Sequence, residues 1–269
     1  MRGLMKVGLS LLILAFVLIG LSYSMLRAQG ESGSAGAEGR VVENQARAVT
    51  NNVNAVDLDG PIDLTVRQGA VASLSVRGEQ RLLAQVVTTL DGDTIHIGTR
   101  GMLLLHRRPL QAVLVLPSLA SLEVRGSANS DVNGFSGEKM SIVLSGSGSM
   151  VFNGRYRALA ATQNGSGSLD LNGGNSDKVE AELHGSGSLT AAGTAHELKA
   201  QLNGSGNLDA EHLRVESATL ELNGSGSATV SASRKLDAEV HGSGNATVLG
   251  KPQERKVETR GSGGVSFGE

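Results

Sequence analysis

Three glutamates, Glu221, Glu239 and Glu258, are the residues in this sequence best placed to do chemistry. If the chain brings them onto one face at about 4.8 Å, the spacing of hydrogen-bonded strands, neighbouring carboxylates stand near the separation of about 5–5.5 Å used by a retaining glycosidase. Such a stack could also hold a cation. The competing reading is a solvated acidic face eased by Lys199, Lys256 and Arg260, which performs no reaction. Repetition favours that second reading. The same position, three residues before a recurrent Gly-Ser pair, is also held by Glu123, Val143, Thr162, Glu182 and Gln201, so the carboxylates belong to a repeat before they belong to a site.

Other candidates weaken in the same way. His184 and His241 share a repeat position but lie three repeats apart, about 14 Å if repeats stack, too far for one metal ion. The position five after the first Gly reads Asp131, Val151, Asp170, Thr190, Asp209, Thr229, Thr247 and Ser266. Carboxylates never fall on consecutive repeats there, as a calcium-binding roll requires. The Gly-Ser-Gly-Ser runs look like phosphate loops, yet no lysine follows in the required place and no helical pattern begins after them. A file of serines from Ser127 to Ser262 could hydrogen-bond a glycan or peptidoglycan, but Phe135, Phe152, Tyr156 and Phe267 are a thin supply of aromatic rings for stacking sugars. No catalytic, metal or cofactor site is expected.

What must position these residues is the repeat itself. Gly-Ser recurs at Gly126, Gly146, Gly165, Gly185, Gly204, Gly224, Gly242 and Gly261, at intervals of 18 to 20 residues, and a second glycine follows at Gly148, Gly167, Gly187, Gly206, Gly226, Gly244 and Gly263. Around each pair the chain alternates. Two before the first Gly stand Val124, Leu144, Gln163, Leu183, Leu202, Leu222, Val240 and Thr259, mainly apolar; one before stand Arg125, Ser145, Asn164, His184, Asn203, Asn223, His241 and Arg260, all polar. This is period two, a β-chain with one buried face. Thirteen extended residues would span roughly 43 Å, so each repeat must bend. The glycines Gly146, Gly148, Gly165, Gly167, Gly185, Gly187, Gly204, Gly206, Gly224, Gly226, Gly242 and Gly244 are the expected corners, with a second corner near Gly134, Gly154, Gly173, Gly193 and Gly250. The expected fold is an all-β, parallel β-helix (β-solenoid) of about 19–20 residues per coil over 119–269. Short alternating runs punctuated by Asp-Gly predict an N-terminal β segment over 47–118.

Composition agrees: 37 glycines, 4 prolines and 2% aromatic residues suit tight stacked turns better than a compact enzyme core. A net charge of −2 without a basic run argues against nucleic acid, and zero cysteines exclude thiolate chemistry and lipoprotein attachment. At the start, Met1, Arg2 and Lys6 precede an apolar run from Val7 to Leu21 and then Ser22 to Ala28. Residues 1–28 therefore read as an export signal, cleaved after Ala28 or retained as an N-terminal anchor, in which case it is the one membrane contact. Residues 29–46 read as a flexible linker.

The Gly-Ser-Gly-Ser/Asn corners, the export start and the Asp-Gly-punctuated β segment resemble the auto-transporter adhesin head domain, also called the head GIN domain, over roughly 47 to 260. The resemblance implies a right-handed parallel β-helix in the bacterial envelope, in the periplasm, on the outer membrane or at the cell surface. It also implies an adhesin or scaffold whose partners are glycan, peptidoglycan or a cell-surface protein. The alternatives kept open are a polysaccharide hydrolase or lyase on the same fold, and an assembly module pairing through an exposed end coil. No catalytic residue carries over.

Overall fold

The computed structural model describes residues 41–101 and 109–268. The expected export signal and most of the expected linker lie outside the described residues.

Successive repeats stack in parallel, with like residues in register. Strands β9 (Asn129–Gly146), β10 (Ser149–Gly165), β11 (Ser168–Gly185), β12 (Ser188–Gly204), β13 (Asn207–Gly224) and β14 (Ser227–Gly242) each wrap one coil. The last coil is split: β15 (Asn245–Leu249) and β17 (Gly264–Phe267) continue one wall, and β16 (Glu254–Gly261) continues the other. Register carries Leu144 onto Gln163, Leu183, Leu202, Leu222 and Val240 in turn, so every inward residue packs on its counterpart. The result is a β-solenoid of about seven turns.

Alternation makes the core. Leu198, Ala200, Leu202, Leu208 and Ala210 are buried at 1% exposure or less, while Lys199 and Asn207 between them face water. No coil could bury that face alone. At the corner the backbone itself stacks: Ser186 and Gly187 both donate their N–H to the Gly165 carbonyl, at 3.0 Å each, and Ser188 donates to that of Gly167 at 3.0 Å. The first glycine of each corner has positive φ, +121° at Gly185, where L side chains are strained. At the second corner positive φ falls on Gly134, Gly174, Gly193 and Gly250, so Gly174 bends the chain beside Gly173, and Gly154 keeps ordinary backbone.

Stacking begins earlier than the regular repeats. Strands β2 (Ala55–Asp59) and β3 (Ile62–Gln68) form a coil between two others: β2 pairs in parallel with β6 (Thr94–Thr99) and β8 (Ser121–Gly126), and β3 with β7 (Leu110–Leu116) and β9. The order of coils along the rod therefore departs from chain order. The end beyond β6 and β7 is closed by antiparallel strands, β4 (Ser73–Glu79) on β7, β1 (Val42–Arg47) on β4, and β5 (Val86–Asp91) on β6, with the short helix α1 (Gln80–Leu83) burying Leu82 and Leu83. β1 occupies residues expected to be linker. Its composition is polar because it lies on a cap, where half-burial suffices.

Three aromatic side chains, Phe135, Phe152 and Tyr156, are buried, whereas Phe267, which alternation would also turn inward, is 42% exposed. Tyr156 turns inward where the chain bends, and its hydroxyl donates to the Leu119 carbonyl at 2.6 Å. Burial pushes its pKa up to about 12 from 10.0. Below pH 10 folded and unfolded chains both keep this proton; from 10 to about 12 the unfolded chain ionises first, so stability falls as pH rises. Tyr156→Phe should flatten that loss in alkaline unfolding curves while costing about 1 kcal/mol at neutral pH.

Gln163 is the polar exception in a leucine file. It is fully buried; its Nε2 donates to the Gly167 carbonyl, and its Oε1 has no partner among the described residues. Since Gly167 also accepts from Ser188, removing the amide orphans nothing. Gln163→Leu is expected to raise stability by about 1–2 kcal/mol, read as a higher urea midpoint at unchanged slope. An unchanged or lower midpoint would contradict it.

Candidate functional site

Two outward files run side by side along one broad wall of the rod. Register carries His96 onto Asp57, Glu123, Val143, Thr162, Glu182, Gln201, Glu221, Glu239 and Glu258 in one file. The file one residue before each corner runs from Arg125 through Ser145, Asn164, His184, Asn203, Asn223 and His241 to Arg260. Glu221, Glu239 and Glu258 thus stand on adjacent coils, in the stack their spacing implies.

Their surroundings are neutralising. Lys256 Nζ lies 3.3 Å from Glu258, 3.6 Å from Glu239 and 3.5 Å from Asp237. Glu221 accepts from Asn223 at 2.9 Å and from Gln201 at 3.0 Å, and the bond from Asn223, above that from Gln201, lowers its pKa. The Glu221 carboxylate is thereby held in the charged form. A glycosidase acid needs the opposite, a carboxyl kept protonated by an apolar pocket or a naked like charge. Because the groups are roughly half exposed, Glu239→Gln should change stability by less than about 1 kcal/mol, measured by thermal unfolding.

The far end of the same wall carries a second charge group. Arg125 reaches Asp57 at 2.5 Å and also bonds Glu123, while His96 Nδ1 lies 3.0 Å from Asp57. The bond to Asp57 is the main cause that raises the Arg125 pKa. This group ties three coils that are far apart in sequence, 57, 96 and 125. Among the described residues no three His, Asp or Glu side chains converge on a metal position.

The corner glycines build a second feature. Gly148, Gly167, Gly187, Gly206 and Gly226 floor an open groove of 430 Å³, edged by Ser147, Ser166, Ser186, Ser205 and Ser225 on one side and by Ser149, Ser168, Ser188 and Ser227 on the other. The groove exists because two residues without side chains recur at each bend. Along the second edge, hydroxyls bond up the rod, as Ser227 to Asn207 at 2.6 Å.

Repeat counting missed a third feature. Coil length changes where β13 carries extra residues between Ala210 and Arg214, and β14 is shorter. The mismatch opens a cleft of 590 Å³ lined by His196, Arg214, Glu216 and Lys251. His196 Nδ1 lies 3.0 Å from Glu216. Its signal in the sequence is the single short interval, Gly224 to Gly242.

Among the described residues no helix is long and apolar enough to cross a membrane. Among curated proteins no sequence matches this chain. Solved structures do. A putative adhesin from Parabacteroides distasonis superposes with a TM-score of 0.78 at 25% identity, over 86% of this chain and 98% of that one. A putative adhesin from Parabacteroides merdae gives 0.78 at 20% identity, over 85% and 96%. A putative lipid binding protein from P. distasonis gives 0.76 at 22%, over 85% and 97%, so this fold carries more than one functional description. The sequence profile of the family described as putative auto-transporter adhesin, head GIN domain, matches residues 52–252. With stacked coils, glycine corners and this match across most of its length, the chain belongs to the auto-transporter adhesin head GIN domain family.

Proposed function

We propose that this chain is an exported, non-enzymatic adhesin or envelope scaffold that binds through the elongated polar wall formed by the Glu123–Glu258 and Arg125–Arg260 files. The observation carrying this reading is the unbroken register of both files from Glu123 and Arg125 to the last coil, with the carboxylates satisfied by Lys256, Gln201 and Asn223. A surface of repeated, shallow, mixed-charge groups suits an extended polymer met at many points: glycan, peptidoglycan or a cell-surface protein. Binding spread in this way has no single dominant residue, so Glu239→Gln or Lys256→Gln should weaken it by about fivefold or less. The test is a glycan and matrix array probed with the chain, together with protease accessibility on intact cells. Specific binding and surface cleavage support the reading.

The rival, a polysaccharide hydrolase or lyase, is favoured by one feature, the interrupted-coil cleft with Glu216 and His196 in contact. Turnover of a polysaccharide that is lost in Glu216→Gln or Glu239→Gln overturns the non-enzymatic reading.

A further inference from the structure

The cleft beside Glu216 holds two cations that no carboxylate answers. It lies at the second corner of the coil, where register stacks Thr194, Arg214 and Ser231 along one edge and Ala195, Val215 and Ala232 along the floor. The opposite edge carries His196, Glu216 and Ser233. Gly250 extends the floor over Ala232, whose carbonyl oxygen a Cβ there would meet at 2.5 Å, so Lys251 continues that second edge. The opening follows from coil length: β13 spends Glu211, His212 and Leu213 on a bulge between Ala210 and Arg214, where β14 passes directly from Val230 to Ser231. The rung after Arg214 therefore presents only Ser231, Ala232 and Ser233, three short side chains, and the trough opens over them.

Charge in the trough is unbalanced. Glu216 is the one carboxylate in its lining, and it is already shared, with His196 Nδ1 at 3.0 Å and Arg234 Nε at 4.0 Å. Arg214 and Lys251 are exposed, and neither side chain has an ionic or hydrogen-bonding partner among the described residues. The Ser231 hydroxyl has none either. Arg214 stands one rung before the serine rung on one edge and Lys251 one rung after it on the other, so they are two steps of about 4.8 Å apart along the rod. Both side chains are long enough to reach over the serines between them. Cations spaced in this way along an open trough serve an acidic group repeated along a chain, and the guanidinium fork of Arg214 matches the paired oxygens of a carboxylate or sulfate. The edges are polar or charged throughout, so an acyl chain finds no apolar wall there.

We propose that this cleft binds an acidic polysaccharide lying along the rod, its carboxylate or sulfate groups held by Arg214 and Lys251 and a sugar hydroxyl by Ser231. Glu216 takes no part in holding the anion; its bonds to His196 and Arg234 keep it from repelling one. The site lies at the second corner, apart from the wall of the Glu123–Glu258 file, and does not rest on binding through that wall.

The test is retention of the full-length chain on immobilised polygalacturonate, dextran sulfate and neutral dextran, with phosphatidylglycerol vesicles as a fourth arm. Retention on one or both polyanions and not on dextran is expected, and the stronger of the two identifies the oxyanion. Arg214→Gln and Lys251→Gln should each weaken it about tenfold, the loss of one charge-assisted bond. Lys139→Gln removes an exposed cation on β9, outside the cleft, and should change retention by less than about twofold. All of these positions are exposed, so the fold survives each change. Retention on neither polyanion overturns the proposal, as does equal retention on dextran, retention on the vesicles in place of the polyanions, or a loss in Lys139→Gln as large as that in Arg214→Gln.

Discussion

Gly185→Ala is expected to cost about 3–5 kcal/mol, a large share of the stability of any domain, although it adds one methyl group. Two independent terms combine. The φ of +121° is strained for an L residue by about 1–3 kcal/mol. The new Cβ would also stand 2.5 Å from the Gly165 carbonyl oxygen, which cannot retreat because it accepts N–H groups from Ser186 and Gly187. Overpacking of that kind costs about 1–3 kcal/mol more. Gly92→Ala supplies the control. Its φ is +61° and a Cβ there meets nothing within 4 Å, so only the conformational term of about 1 kcal/mol remains. Urea unfolding of the two variants separates the terms, and equal losses would show that stacked carbonyls do not set the cost.

That contrast also shows why so much of the rod is legible in the sequence. A solenoid interaction between coils is an interaction between equivalent residues, so the repeat interval states the tertiary contact. The stack of Glu221, Glu239 and Glu258 and the inward leucine file follow from counting alone. What counting could not reach lacks that periodicity. The coil formed by β2 and β3 sits between β6–β7 and β8–β9, an order set by which strands offer matching faces and not by chain succession. The Asp57, His96 and Arg125 group arises only from that insertion. The cleft beside Glu216 comes from a difference in coil length, which an average interval conceals. β1 is hidden for another reason: a cap strand need bury only one partial face, so Val42–Arg47 has the polarity of a linker.

Phe152→Ala is expected to cost about 3–5 kcal/mol, because the ring is fully buried and the site cannot collapse around the loss. Later members of its file show what collapse would require. Ala191 and Ala210 occupy the same inward position, and there the chain supplies the missing volume from its own bulge, with Leu213 and Val215 turned inward at 2% and 4% exposure. The Phe152 coil has no such reserve: the residue beneath the ring is Gly154, so close that a Cβ there would stand 2.7 Å from the ring carbon Cζ. Tyr156, 6.0 Å away between ring centroids, is fixed by its bond to Leu119 and cannot swing across. The vacancy would therefore persist, and hydrogen exchange should rise first in β9, β10 and β11, the strands that face it, before the distant coils respond. Uniform acceleration along the whole rod would instead mean that the solenoid unfolds as one cooperative unit, and the graded protection expected from coil-by-coil stacking would be absent.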